Sequence, residues 1–454
     1  MNWKTMTLTG WGRTSHADVL ACRPERASEV RAALEIENAG GILAHGGGRS
    51  YGDAALNGGG RAILTGRLNR ILAFDRETGE VTCEPGVTFR DLIEVFVPRG
   101  FMAPASPGTA FATIGGALAN DVHGKNHDRH GSFGDHVTSI ELMLADGSTR
   151  RISPSEDADL FHATIGGLGL TGFMRQISFR LLPGARPQVA LAERRIADLD
   201  AYLAAFAEIR HTATFSVGWI DALARGRALG RGILETAEFA ASDSPGESDA
   251  QLRQRAHKVP VDFPGFALNP LAVRLFNAAY FARVGASGRT RVAPLAKFLY
   301  PLDAILAWNR IYGERGFYQF QCVLPDAEAP RGLRQLLETI AAAGRGSFLA
   351  VLKTLGGAGR GYLSFPLRGF TLALDFPRTR GIEDLLGALE RIVRDRGGRI
   401  YLAKDALLSA EGFRAMYPQA DRFKAVLERV DPNARFTSDL ARRLKLKPAR
   451  SSTA

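Results

Sequence analysis

The sequence predicts an α+β protein with two domains, and three observations support this prediction. The chain has 454 residues, enough for two separate hydrophobic cores. Up to about residue 182, strand and helix patterns alternate with three glycine-rich clusters. Beyond Pro183–Pro187, strand-like segments recur without such clusters, so a boundary is expected there.

The N-terminal elements are predicted from periodicity and turn residues. Val30, Ala33 and Leu34 share one face of a helix that the two glycines at 40 and 41 end. Asp146-Gly147 is a favoured hairpin dipeptide between two strands. The predicted elements are helix Pro24–Asn38, strands Ile42–Ala44 and Val81–Glu84, helix Thr88–Val97, strands Val137–Leu144 and Thr149–Ile152, helix Glu156–Ala163 and strand Phe173–Leu181.

The C-terminal part reads as further strands followed by one clear helix. Two polar stretches interrupt it, Ala240–Pro260 and Gly285–Val292, and their lack of large apolar residues predicts mobile loops. The predicted elements are strands Phe317–Leu324, Phe348–Leu355 and Thr371–Phe376, and helix Ile382–Arg396.

Composition and charge limit the function classes. Hydrophobic and charged residues make up 45% and 23% of the chain, as in a soluble globular protein. The formal net charge of +11 favours an anionic lipid or a phosphate-bearing substrate, with solubility as the simpler explanation. Nucleic acid is disfavoured because no zinc-finger spacing or aromatic-rich RNA motif is present.

Targeting signals and cysteines give a default location. Cys22, Cys83 and Cys322 are too widely spaced for a CxxC pair or a disulfide framework. No secretory signal is visible, and no apolar run reaches the roughly 18 residues of a membrane span. We therefore expect a cytoplasmic protein, or one peripheral at the inner membrane.

The first glycine cluster, GGGRSYGD at Gly46–Asp53, follows a predicted strand. Consecutive backbone N–H groups of this kind can cradle a pyrophosphate. The cluster matches neither GxGxxG in a βαβ unit nor the P-loop, so by itself it does not differ from a glycine-rich surface turn.

The second cluster spans Pro104–His136 and favours a cofactor-binding site over a glycine-rich surface turn. Thr113–Gly116 opens a segment of small residues that would let a cofactor lie against backbone. Four histidines follow, but no cysteine or glutamate joins them and their spacing is not that of a helical metal motif, so no metal is expected. These histidines are His123, His127, His130 and His136.

The three clusters, in this order and spacing, resemble the FAD-binding domain of the vanillyl-alcohol oxidase / p-cresol methylhydroxylase superfamily. A finer set of motifs, covering nearly the whole chain, resembles the family of decaprenylphosphoryl-β-D-ribose 2-oxidases. These motifs are LTGWGR at 8–13, GRSYGD at 48–53, HGKNH at 123–127, GSFGDHV at 131–137, GLTG at 169–172, LSFP at 363–366, LDFP at 374–377, YLAKD at 401–405 and SDLARRL at 438–444.

The resemblance implies a two-domain FAD-binding PCMH-type fold with an antiparallel-sheet substrate domain. The implied ranges are 1–184 for the first part of the FAD-binding domain, 185–399 for the substrate domain and 400–454 for the return to the FAD-binding domain. The implied FAD contacts are Gly46, Gly47, Gly48, Arg49, Ser50, Tyr51, Gly52, Asp53, Gly108, Thr113, Ile114, Gly115, Gly116, His123, Gly124, Lys125, Asn126, Gly172, Phe173 and Tyr401.

Two departures from related sequences carry predictions. Many superfamily members attach FAD covalently through a histidine in the first loop, where this chain has Arg49-Ser50-Tyr51. The resemblance therefore implies non-covalent FAD, with His45 and His123 as the nearby histidines. Some family members carry a cysteine, trapped by nitroaromatic inhibitors, at the position of Ala373.

Oxidation of an alcohol by FAD moves a hydride to the flavin and needs a group that accepts the hydroxyl proton. Lys404, which the resemblance places facing the flavin, is the first candidate, because desolvation would lower its pKa. His123 is the second candidate and Tyr51 the third. Alternatively, Lys404 orients the hydroxyl as a cation.

The implied substrate is a polyprenyl-phosphate ribose, oxidised at its 2-hydroxyl in the first half of an epimerisation to arabinose. Its phosphate needs cations and its lipid needs an apolar surface. The candidate residues are Lys125, Lys353 and Arg315 for charge, Lys404, Gln319 and Gln321 for the sugar, and Trp219 and Phe320 for an apolar wall. Phe320, however, should point away from the two glutamines and join the core.

The implied partners are a short-chain NAD(P)H-dependent reductase for the keto product, a quinone-type electron acceptor and an anionic membrane surface. Two alternatives stay open: an oxygen-using alditol or aldonolactone oxidase, and a flavin-binding protein without its own substrate.

Overall fold

A mixed four-stranded sheet begins the chain. The computed structural model describes residues 2–35, 40–241, 256–265, 268–346 and 348–447. The sheet consists of β1 (Trp3–Thr9), β2 (His16–Cys22), β3 (Ile42–His45) and β4 (Arg61–Leu64), in the order β1-β2-β4-β3. β1 and β2 are antiparallel, and the other two pairs are parallel.

The first helix begins later than predicted. Arg26 has extended backbone, residues 27–29 form a 3-10 turn, and α1 covers Val30–Glu35. The rest of the predicted range, 36–38, lies outside the described residues.

A second sheet, with five antiparallel strands, follows. Its order is β5-β6-β10-β8-β9, and the remaining short strands β7 and β11 pair with each other. The predicted hairpin is present, with Gly147 at a φ of +81° between β8 and β9. The elements are β5 (Ile71–Phe74), β6 (Glu80–Cys83), α2 (Phe89–Phe96), β7 (Phe101–Met102), α3 (Ile114–Ala119), α4 (His127–His130), β8 (Val137–Met143), β9 (Thr149–Ile152), α5 (Ala158–Thr164), β10 (Phe173–Arg180) and β11 (Leu182–Pro183).

The third sheet has eight antiparallel strands, as the family resemblance implies. Its strands are β12 (Gln188–Ile196), β13 (Phe215–Ile220), β14 (Gly232–Phe239), β16 (Arg289–Pro294), β18 (Phe317–Pro325), β19 (Ala350–Leu355), β20 (Gly369–Pro377) and β21 (Arg399–Ile400). The order is β16-β12-β14-β13-β19-β20-β18-β21. Two short strands, β15 (His257–Lys258) and β17 (Ile305–Leu306), form a separate parallel pair.

The expectation of a loop at Gly285–Val292 is wrong for its second half. Residues from Arg289 onward form β16, which pairs with β12 at the sheet edge. Arg289 and Arg291 both reach the carboxylate of Glu193, which is fully buried, so ion pairing stabilises a strand that apolar patterning does not reveal. The other predicted loop, Ala240–Pro260, falls mostly on 242–255, outside the described residues.

Helices cover one face of the eight-stranded sheet and leave the other face to the cavity described below. α6 (Leu199–Ile209), α9 (Ala329–Ala343) and α10 (Ile382–Asp395) pack against the sheet and against each other. Phe320, Cys322 and Leu324 of β18 are buried in this layer, so Phe320 belongs to the core rather than to a substrate wall. α7 (Pro270–Ala282) and α8 (Leu295–Leu299) lie between β15 and β17 in the chain.

The C-terminal segment returns to the N-terminal part. It contains α11 (Ala410–Met416), α12 (Ala420–Val430) and α13 (Asp439–Arg443). Arg443 donates to Asp53 at 2.7 Å and to Asp405 at 2.8 Å, and the Asp439 carboxylate accepts from the Gly58 amide at 3.1 Å. The domain ranges 1–184, 185–399 and 400–454 stay a prediction, and β21 spans the second of their boundaries.

Candidate active site

A cavity of about 1070 Å³ lies where the glycine-rich loops meet the free face of the eight-stranded sheet. Most of the predicted site residues line it. They are Gly46, Gly47, Gly48, Arg49, Ser50, Tyr51, Gly108, Thr113, Gly115, Gly116, His123, Lys125, Gly172, Phe173, Trp219, Gln319, Gln321, Lys353, Tyr401 and Lys404.

The first glycine loop approaches its neighbours too closely for side chains. A Cβ on Gly46 would lie 2.4 Å from Thr113 Oγ1, and one on Gly47 would lie 2.4 Å from the Phe111 carbonyl oxygen. Gly48 has a φ of +62°, which glycine adopts without strain. The amide N–H groups of 46–50 donate to no described residue. These amides therefore form a concave row of donors that suits a pyrophosphate.

The sheet face contributes side chains in register. Gln321, Ala373, Val351 and Trp219 are cross-strand partners on β18, β20, β19 and β13, and all four line the cavity. Lys353 is two residues from Val351 on β19 and faces the same side, because side chains alternate along a strand.

His123 is a buried, neutral hydrogen-bonding group. Its Nε2 lies 3.0 Å from the amide nitrogen of Gln321, which also donates to Thr371, so Nε2 accepts and the ring proton sits on Nδ1. That Nδ1 has no hydrogen-bond partner among the described residues. Burial and the nearby Lys353 hold the pKa of His123 well below its usual range. The ring therefore offers one N–H donor and little basicity.

Lys404 is a buried lysine of the cavity that lies against an aromatic ring and has a lowered pKa. Its Nζ lies 3.9 Å from the centroid of the Tyr51 ring. Burial lowers the pKa of Lys404 to about 7, Asp375 opposes this effect and Lys353 adds to it. Near neutral pH, a large fraction of this amine is therefore unprotonated and able to accept a proton.

Asp375 lies behind the lining residues and is completely buried. Its carboxylate accepts from the Tyr312 hydroxyl at 3.0 Å and from the Gln319 amide at 2.6 Å. Burial and the charge of Asp375 raise the pKa of the Tyr51 hydroxyl, and Gln319 opposes this effect. Burial raises the pKa of Asp375 to about 7, against the hydrogen bonds and Lys404. Asp375 thus acts on the pKa values of Lys404 and Tyr51 and hydrogen-bonds Gln319.

Two further lysines face the cavity. Lys125 donates to the carbonyl oxygen of Phe298, and its Nζ lies 4.1 Å from the centroid of the Phe298 ring. Burial lowers the pKa of both Lys125 and Lys353 to about 8, and Lys125 adds to the effect on Lys353. Glu235 opposes the effect of burial on Lys125 only in part. Buried ammonium groups without a close carboxylate are costly, so this pair favours an anionic ligand.

Some predicted residues do not line the cavity and instead position the loops. A Cβ on Gly52 would lie 1.9 Å from the Asp405 carbonyl oxygen, and one on Gly124 would lie 3.0 Å from backbone atoms of Ser106. Asp53 pairs with Arg443, Ile114 is buried in the core, and the side-chain amide of Asn126 donates to the Pro104 carbonyl oxygen at 2.8 Å. Arg315 is exposed and away from the cavity.

The other histidines of the second cluster make separate contacts. His127 accepts from the Gly356 amide at 3.0 Å and contacts Ser132 at 3.2 Å, and His136 bonds the His130 carbonyl oxygen at 2.6 Å. Within the described ranges, no group of three histidine, cysteine or acidic residues is placed to hold a metal ion.

The sequence prediction missed several residues that shape the site. Asp375 and Tyr312 behind Lys404, and Trp11, whose ring stacks 4.2 Å from the Arg49 guanidinium, were not identified. Alternation along β20 was a usable signal for Asp375, because it lies two residues from Ala373 on the same face. Tyr312 ends a short 3-10 helix and Trp11 lies in a turn, and neither segment has a periodic pattern.

Comparisons with known proteins agree with this geometry. Residues 20–153 match the FAD binding domain family, and residues 371–444 match the D-arabinono-1,4-lactone oxidase family. The chain is 36% identical to decaprenylphosphoryl-beta-D-ribose oxidase of Mycolicibacterium smegmatis, over 97% of this chain and 98% of that protein. It is 28% identical to L-gulonolactone oxidase of Mus musculus, over 40% of this chain and 41% of that protein.

The cofactor is FAD, and the cavity residues fit it. The free amides of 46–50 suit its pyrophosphate, and the unpartnered Nδ1–H of His123 suits an acceptor atom of a bound ring. His45 lies just before the loop, yet its Nδ1 bonds the Ala55 carbonyl oxygen at 2.9 Å and its ring does not line the cavity. The protein is an FAD-dependent oxidoreductase.

Proposed function

Because the chain belongs to the decaprenylphosphoryl-β-D-ribose oxidase family, we propose that it oxidises the 2-hydroxyl of a polyprenyl-phosphate-linked ribose to the 2-keto sugar. This reaction is the first half of an epimerisation that gives the arabinose donor. The observation that carries the proposal is Lys404, a buried amine in the cavity whose pKa is about 7.

Lys404 is the proposed proton acceptor. Its neutral amine removes the hydroxyl proton of the sugar as the carbon–hydrogen bond breaks. Bound FAD would supply the acceptor for the hydride of this carbon. The ring of His123 donates its Nδ1 proton in a hydrogen bond and does not act as the base, because its Nε2 is occupied by Gln321.

Gln319 is proposed to hold the sugar and Tyr51 beside the lysine. Its amide nitrogen bonds Asp375, which leaves the amide oxygen as the acceptor that Gln319 can offer to a ligand in the cavity it lines. Tyr51 itself is a poor base, because burial raises the pKa of its hydroxyl well above the usual range. The phenol therefore serves as a hydrogen-bond donor and as the surface on which the Lys404 amine rests.

Lys125 and Lys353 are proposed to bind the phosphate of the substrate. Both line the cavity, and both are desolvated without a carboxylate partner within ion-pair distance among the described residues. A phosphate placed between them would compensate this burial. The wall around Trp219 and Val351 is apolar and suits the first isoprene units of a lipid.

The product chemistry implies further partners. The 2-keto group has to be reduced from the opposite face, which we assign to a short-chain NAD(P)H-dependent reductase. Reduced flavin has to be reoxidised, which we assign to a quinone-type acceptor. Within the described ranges no helix is long and apolar enough to cross a membrane. The formal net charge of +11 supports the proposal that the lipid substrate is met at an anionic membrane surface.

The test is anaerobic reduction of the bound flavin. Polyprenyl-phosphoryl-β-D-ribose should bleach the yellow protein, and borodeuteride reduction of the product should place deuterium at C2. Lys404→Met should bind FAD but bleach slowly. Unchanged absorbance with the wild-type protein, or deuterium at another carbon, would contradict the proposal.

An aldonolactone oxidase is the second candidate, because residues 371–444 match that family model. Its substrates are uncharged, so the two phosphate-binding lysines would have no role. Oxygen consumption with free aldonolactones, at rates that Lys125→Met and Lys353→Met leave unchanged, would favour this candidate.

A further inference from the structure

α7, Pro270–Ala282, is apolar on every side and yet lies at the surface. Its 13 residues include one charged side chain, Arg274, and one polar side chain, Asn277, which is buried and donates to Asp221 at 2.8 Å. Leu271 and Leu275, one turn apart, are 66% and 63% exposed. A helix that is hydrophobic all round is normally buried, so a further apolar phase is expected to cover it.

The opposite side of α7 belongs to the cavity. Val273, Phe276 and Tyr280 line it, and Phe276 is also 45% exposed. Ile305 and Leu306 of β17 line the same cavity and are exposed as well. The apolar surface therefore runs without interruption from the cavity lining to the exterior of the helix.

The chain itself offers little to cover this surface. The segments outside the described ranges contain four large apolar residues in all, Met1, Ile36, Leu252 and Phe266. Residues 242–255, which precede β15, read SDSPGESDAQLRQR and are strongly polar.

The charges around the surface favour an anionic partner. Residues 256–299 carry six lysines and arginines and one acidic residue, Asp262. Asp262 is already paired with Arg13 and Arg310. Lys258, beside Leu306 in the short parallel pair, and Arg274 are exposed and have no carboxylate partner among the described residues.

We propose that α7, with Ile305 and Leu306, is the surface by which this protein inserts into the interface of an anionic bilayer. The inference rests on the proposed function in one respect: the cavity then opens directly into the acyl region, and the polyprenyl chain of the substrate need not leave the membrane. Leu271 and Leu275 enter the bilayer, and Lys258 and Arg274 contact its phosphates.

The test uses purified holoenzyme and phosphatidylcholine vesicles with and without phosphatidylglycerol. Wild-type protein should co-sediment with the anionic vesicles and much less with the neutral ones. The double variant Leu271→Gln/Leu275→Gln should bind at least about tenfold more weakly, because two exposed leucines no longer enter the apolar phase. Leu72→Gln, an exposed leucine (41%) on β5, is the matched control and should bind like the wild type.

Flavin content and reduction by a short-chain, water-soluble phosphoribose substrate show that each variant is folded. Neither leucine lines the cavity, so both readouts should stay unchanged. Equal vesicle binding by wild type and double variant, or a wild-type dimer that the double variant converts to monomer, would overturn the membrane inference and leave the proposed function intact. If the double variant loses vesicle binding but no phosphoribose bleaches the flavin of the wild-type protein, the membrane surface is supported and the proposed function is refuted.

Discussion

The rate of flavin reduction should follow the protonation of Lys404. Its amine accepts a proton only when neutral, and burial places its pKa at about 7. The rate constant should therefore rise as pH increases through about 7 and level off above it. One pH unit below the pKa, about one tenth of the amine is neutral, so the rate should be about one tenth of the plateau.

Asp375 provides the perturbation that tests this assignment. Its carboxylate raises the pKa of Lys404, so Asp375→Asn should lower that pKa and move the rising limb to lower pH. The asparagine can still bond Tyr312 or Gln319, which limits structural change. Lys404→Met should remove the limb and slow reduction by roughly 10²–10⁴-fold.

Anaerobic stopped-flow absorbance across this pH range is the assay, with FAD content measured for every variant. A limb that persists in Lys404→Met, or that does not move in Asp375→Asn, would show that another group titrates. Lys404→Arg keeps the charge but cannot accept a proton. If arginine restores the rate, Lys404 orients the hydroxyl and another group takes the proton.

Three further predictions concern the cofactor and the sheet face. Acid precipitation should release all the yellow colour, because the His45 ring bonds the Ala55 carbonyl and does not line the cavity; a yellow pellet would indicate covalent FAD. Mass spectrometry after turnover with a nitroaromatic inhibitor should show no adduct on this protein and one adduct on Ala373→Cys, because position 373 lines the cavity; an adduct on the unmodified protein would contradict the placement. Gly47→Ala should weaken FAD binding at least about tenfold by equilibrium fluorescence, because its Cβ would lie 2.4 Å from a backbone oxygen, whereas Gly66→Ala, with open space around it, should not; equal affinities would refute the cradle.

Local patterns predicted α2 and the hairpin of β8 and β9 because their signals are local, whereas β1, β2, β4 and β5 were not predicted. Thr88 caps α2 and forms a capping box with Asp91, and Gly147 closes the hairpin with positive φ, so each signal lies within a few residues of its element. β16 could not be found in this way. Its arginines are stabilised by Glu193, almost a hundred residues earlier in the chain, and such pairing is invisible to a local window.

The site was predictable where family motifs mark it and unpredictable where packing creates it. His123, Lys404 and Gln321 were named from motifs or strand position, and the structure brings all three to one cavity. Their chemistry depends on burial, which the motifs do not state: the pKa of His123 is low and that of Lys404 is about 7 because water is excluded. Because water is excluded from the cavity, Lys404 rather than His123 is the better candidate base.

Substrate binding and the chemical step should depend on pH in opposite directions, because they need different protonation states of the cavity lysines. Lys125 and Lys353, with pKa values of about 8, bind a phosphate best when protonated, so substrate binding should weaken as pH rises through about 8. Lys404 must be neutral, so the chemical step should weaken as pH falls through about 7. The profile of kcat/KM should therefore be bell-shaped, with its maximum between about 7 and 8. Lys353→Met should weaken binding and, by removing a neighbouring positive charge, raise the pKa of Lys404 and move the acidic limb upward. An acidic limb that stays in place would show that the two lysines titrate independently.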